Sequence, residues 1–106
     1  MVKHMVLWML KPEAKETPEI LASNMERLIK RFHSMKDASP MMNSINVYPT
    51  VRHGKDVYDF AVVMEFDSLE KLEEFQVSPA HKDPKESQFG LSIREKKAVI
   101  DIETED

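Results

Sequence analysis

Imidazole is the one side chain whose ordinary pKa lets it take up and return a proton near pH 7. This chain carries four, at His4, His33, His53 and His81. None stands three or four residues from another, and the chain has no cysteine. A dedicated zinc or copper site needs such clustering, so no metal is expected. The lack of thiols also excludes cysteine nucleophiles, iron–sulfur clusters and disulfides. Acid–base chemistry is what remains. His4 alternates with Val6 and Trp8 along an apolar run, which aims it at whatever covers that face. His81 follows Ser78-Pro79-Ala80, which reads as a helix start with proline in first position. The positive end of that helix dipole would disfavour the imidazolium and keep the ring available as a base. His33 and His53 read as helix surface and loop.

The two rings meet only if the elements that carry them share a layer. Val2 to Lys11 reads as a strand with two apolar faces, His4, Val6, Trp8 and Leu10 on one and Met5, Leu7 and Met9 on the other. Thr17-Pro18-Glu19 starts a helix whose stripe Leu21, Met25, Leu28, Phe32 and Met35 lies on one side and which ends near Lys36. Ile45, Val47 and Tyr48 form a second strand ended by Pro49. Tyr58 to Phe66 forms the third, with Phe60, Val62, Met64 and Phe66 facing a deep core and Asp59, Ala61, Val63 and Glu65 facing away. Asp67-Ser68-Leu69-Glu70 is a capping box with Asp67 at the cap, and Leu69, Leu72 and Phe75 bury the helix that follows. Pro84 interrupts the helical region after His81, and a fresh turn capped by Asp83 runs to about Phe89, with Gly90 near its end. Arg94 to Ile102 is the last strand, and residues 103–106 form a frayed tail.

The order β-α-β-β-α-β, with its second helix split, is a ferredoxin-like α+β pattern: a four-stranded antiparallel sheet with helices on one face. It predicts a pocket between sheet and helices with His4 and His81 as its polar groups. The strands supply Val6, Trp8, Phe60, Val62 and Met64 to its lining, and the helices supply Leu28 and Phe75. The opposite face, Met5, Leu7, Met9, Ala61, Val63 and Val99, needs a cover, and a second copy supplies it most simply. Each large apolar side chain hidden there is worth roughly 1.5–3 kcal/mol before the cost of association. The expected state is a homodimer.

All 106 residues make one domain, a size that builds a core without staples. The 15 basic residues are scattered among 19 acidic ones, giving a net charge of −4, which argues against a nucleic-acid partner. The run from Met5 to Leu10 is too short to span a membrane and has no signal-peptide cleavage site. A cytoplasmic protein fits these features. No haem-ligand or other cofactor pattern is visible, so none is expected.

Met1-Val2-Lys3-His4-Met5-Val6-Leu7-Trp8, Tyr58 to Glu70, and Ser78-Pro79-Ala80-His81 together resemble the Dabb family, the stress-responsive dimeric α/β-barrel proteins. The resemblance implies two ferredoxin-like subunits packed sheet to sheet into a barrel. Most bacterial members of the family have no assigned activity. One plant relative is a polyketide cyclase, similar to this chain at His4 and at His81, where it uses the second histidine as its base. Where that cyclase has its catalytic tyrosine, this chain has Phe75, and a short insertion precedes Glu95. Three function classes follow, in this order. The first is a dimer that binds a small apolar molecule. The second is a cofactor-independent enzyme, a cyclase or lyase, with His81 as base and His4 beside it. The third is a stress-related protein that works through assembly.

Overall fold

The computed structural model describes residues 1–105, in the order β1 (Val2–Leu10), α1 (Pro18–Asp37), β2 (Met42–Pro49), β3 (Phe60–Phe66), α2 (Leu69–Gln76), α3 (Pro84–Ile93) and β4 (Arg94–Glu103). The four strands form one antiparallel sheet in the order β2-β3-β1-β4, with β1 and β3 in the middle. This is the α+β, ferredoxin-like arrangement expected from the sequence. Among the described residues no helix is long and apolar enough to cross a membrane.

Strand alternation decides what each face carries. His4 lies opposite Met64, Val6 opposite Val62 and Trp8 opposite Phe60, so all six share the face beneath the helices. Leu28, Phe32 and Met35 of α1 and Leu72 and Phe75 of α2 pack onto it to make the core, in which Val62, Phe66 and Phe75 are fully buried. Thr17 caps α1 by accepting from the Ile20 amide, with Pro18 in first position.

Several expectations are corrected by the register and the local turns. Val99 pairs with Val6 and so faces the helices; Ala98 and Ile100, opposite Leu7 and Met5, occupy the outer face instead. Met9 is already buried by its own chain, next to a register shift in β1. Asp59 precedes β3 and is not on its outer face. It turns inward, where its carboxylate accepts from the Leu10 amide (2.7 Å) and the Lys15 ammonium (2.9 Å). The cap of α2 is Ser68, which accepts from the Lys71 amide, while Asp67 accepts from the Asn43 side chain. Leu69 consequently points to solvent. The stretch 79–82 forms turns, not a helix: His81 and Lys82 donate to the Ser78 and Pro79 carbonyls in successive i to i+3 bonds. Helix α3 starts only where the Asp83 carboxylate caps it, and it continues through Gly90 to Ile93. Glycine allows a close approach there, because an added Cβ would stand 3.0 Å from the Trp8 ring and the ring would have to give by a few tenths of an ångström. The chain end is not frayed at residues 103 and 104: Glu103 pairs with Val2, and Thr104 exchanges backbone hydrogen bonds with Met1. Asp106, also placed in that tail by the sequence reading, lies outside the described residues.

Asp59 joins the start of β3 to the end of β1, so its removal leaves a buried amide without a partner. Asp59→Ala is expected to lose about 2–4 kcal/mol of stability. Leu69→Ala, on the exposed face of α2, should change it by no more than about 0.5 kcal/mol. Urea unfolding of both variants checks the pair.

Candidate functional site

Between the sheet and its helices lies a cavity of about 450 Å³, within the range usual for small-molecule sites. Its floor comes from β1 and β3, through Val6, Trp8, Val62 and Met64. Helix α1 supplies Leu28, Phe32 and Met35, and Leu91 and Val99 close the side nearest β4. Five of the seven apolar residues expected to line a pocket do so. Phe60 and Phe75 do not, and both instead stand behind it. Phe60 stacks on Trp8 with ring centres 5.4 Å apart, and Phe75 meets the His81 ring edge to face at 5.1 Å. They position the groups that line the cavity.

His4 and His81 both reach it. His4 is buried, and its Nδ1 hydrogen-bonds to the Asp101 carboxylate directly across the β1–β4 ladder. With Asp101 ionised, Nδ1 is the donor, which fixes the tautomer and leaves Nε2 with its lone pair. No protein group bonds Nε2 among the described residues. His81 comes from the turn before α3, tethered because Arg31 on α1 donates to the Ala80 carbonyl at 2.7 Å. Partial loss of water around the His81 ring is the main cause that lowers its pKa from 6.5, followed by the positive charge of Arg31, with the neighbouring His4, Lys97 and Lys82 acting in the same direction. The ring is therefore held neutral, by desolvation and nearby cations and not by the helix dipole anticipated from Pro79.

Sequence reasoning missed the polar rim: Arg31, Arg94, Lys97, Glu86 and Asp101. The β4 residues share one signal, since Lys97, Val99 and Asp101 recur every second residue, but that signal becomes readable only after the register is known. Arg94 sits with its guanidinium carbon 5.0 Å from the Trp8 ring centre, and burial lowers its pKa. His33 and His53 lie on the α1 surface and in the loop before β3, away from the cavity. Chemically, the site combines an apolar floor, an oriented imidazole, a second neutral imidazole and a cationic rim.

Comparison with solved structures finds the same fold repeatedly, at identities that speak for fold alone. A dimeric protein of unknown function with a ferredoxin-like fold from Bacteroides fragilis is 21% identical, with a TM-score of 0.76 over 97% of this chain and 95% of that one. A protein from Arabidopsis thaliana is 24% identical, with a TM-score of 0.77 over 100% and 97%. A Dabb family protein from Mesorhizobium loti is 18% identical, with a TM-score of 0.73 over 97% and 95%. No curated protein matches the sequence. The family model for the stress responsive A/B barrel domain matches residues 2–104, nearly the whole chain. The chain thus belongs to the Dabb family of stress responsive A/B barrel domains.

Proposed function

We propose that this chain is a cytoplasmic homodimer that binds a small, largely apolar molecule in the cavity between sheet and helices. The observation that carries the reading is the apolar floor of Val6, Trp8, Val62 and Met64 with His4, His81 and Asp101 converging at its edge. An apolar cleft with a few aimed polar groups is the usual form of a small-molecule site. Fold relatives described as dimeric support the pairing. The outer sheet face supports it too: Met5, Leu7, Ala61, Val63, Ala98 and Ile100 share it, and Ile100 alone keeps 56% of its surface exposed in the single chain. A patch of that kind is unusual on a monomer.

A second reading, cofactor-independent proton transfer, is favoured by the His4–Asp101 pair. A carboxylate that holds one imidazole nitrogen frees the other as acceptor, and a neutral His81 adds a base that is unprotonated at pH 7. An enolisable ketone seated on Val6 and Met64 would lose an α-proton to His81 and regain one from the resulting imidazolium. His4 Nε2, an acceptor in this tautomer, would take up a relayed proton. Phe75 stands where the plant cyclase has a tyrosine, so a phenol takes no part in this scheme.

Sedimentation should give the mass of a dimer, and Leu7→Asp should give a folded monomer or a strongly weakened dimer. A monomeric wild type contradicts the pairing, and assemblies far beyond a dimer favour the structural class instead. Deuterium uptake into the α-positions of 4-phenylbutan-2-one, followed by NMR in D₂O, separates binder from enzyme. Turnover predicts exchange well above buffer, reduced about 10²-fold or more in His81→Ala and in His4→Ala. A pure binder shows only the background rate. The base form of His81 is the active one, and its folded pKa lies below 6.5. The exchange rate should therefore fall with acidification, with its midpoint below pH 6.5. A midpoint above 6.5 would rule out His81 as the base.

A further inference from the structure

The charges around the cavity do not balance. Two carboxylates line it, and both are already engaged: Asp101 with His4, and Glu86 with Arg27 at 3.2 Å. Three permanent cations line it as well, Arg31, Arg94 and Lys97, and none has a carboxylate within ion-pair reach among the described residues. Arg31 is occupied by the Ala80 carbonyl. The charged ends of the Arg94 and Lys97 side chains have no ion-pair partner among the described residues. This is an unusual concentration for a chain of net charge −4.

The backbone arranges it. Lys97 lies opposite Trp8, and Val99 and Asp101 follow on the same face. Beyond Met9, which pairs with Lys96, the register slips by one residue, so Leu10 meets Arg94 and Glu95 is passed over. An unbroken ladder would have set the acidic Glu95 on the helix-facing side at this position. The bulge replaces it with Arg94, over the Trp8 ring. A guanidinium held against an aromatic wall, partly stripped of water and lacking an acid, gains most from an anion that forms charge-assisted hydrogen bonds.

We infer that the ligand of this pocket carries an anionic head, of the carboxylate class, which docks on Arg94 and Lys97 while its apolar body lies on Val6, Val62 and Met64. This rests on the small-molecule reading above and deepens it. Lys97 and Asp101 are four residues apart on one strand, so the head and the His4–Asp101 pair are separated by roughly 13 Å. The ligand spans that length with its charge at one end and its other functional group beside the imidazoles.

Calorimetric titration of the intact protein with 4-butylbenzoate and with 4-butylbenzyl alcohol tests this, because the two probes share a body and differ in head charge. The wild type should bind the benzoate about tenfold or more tightly than the alcohol. Lys97→Gln, on an exposed strand position, should remove most of that ratio and leave the alcohol's affinity unchanged. Arg94→Lys should keep most of it, since the charge stays, and Arg94→Gln should not. Lys55→Gln, in the loop before β3, should keep it fully. Equal affinity for the two probes, or a ratio untouched by Lys97→Gln and Arg94→Gln, overturns the anionic head while the pocket stands. Failure of both probes to bind overturns the pocket and the head together.

Discussion

The pairing of β1 with β4 in one particular register is the constraint on which the site depends. Side chains on a strand alternate with period two, so a slip of one residue would exchange every group on the helix-facing side for its neighbour. In the observed register Asp101 falls opposite His4, Val99 opposite Val6 and Lys97 opposite Trp8. The slipped alternative would put Ile100 or Ile102 beside His4, and the imidazole would lose its carboxylate. Both central strands have a buried even face, with Phe60, Val62, Met64 and Phe66 on β3, which ties the rest of the sheet to the same phase. The bulge at Met9 and Leu10 then resets the phase once, at the end of the strand where Arg94 is needed.

Packing behind the cavity converts that register into a site. Phe60 backs Trp8 and Phe75 backs His81, so two aromatic contacts fix the orientation of two lining groups. Gly90 lets α3 approach the Trp8 ring closely enough to roof the cavity. Arg31 links α1 to the turn that presents His81 and at the same time places positive charge near that ring. Tethering and electrostatics therefore act together on His81: the bond that holds its turn in place also disfavours its imidazolium.

Much of the fold was legible from periodicity alone, and the reasons are local. Alternating large residues in Phe60 to Phe66 set the core face of β3, and Thr17-Pro18 marked the start of α1. The site was half legible. His4 followed from its place in an apolar alternation, and His81 from its position after Pro79, although the turn that holds it is not a helix. Asp101, Lys97 and Arg94 stayed hidden because Ala98-Val99-Ile100 is apolar throughout and polar residues stand on both phases of β4. Such a strand does not reveal which set faces inward, and Val99 was assigned to the wrong face for that reason. A bulge adds a second phase change with no sequence mark of its own. Capping was ambiguous in the same way, since Asp67 and Ser68 are both good caps and only the path of the chain decides between them.

The tautomer of His4 reports on the β1–β4 register without any knowledge of the ligand. Long-range ¹H–¹⁵N NMR of the imidazoles at neutral pH should find His4 protonated on Nδ1, with a bridging proton shifted far downfield that disappears in Asp101→Asn. A His4 ring protonated on Nε2, or one whose signals ignore the Asp101 substitution, would mean that the two strands do not meet as described and that the site has not been correctly assembled.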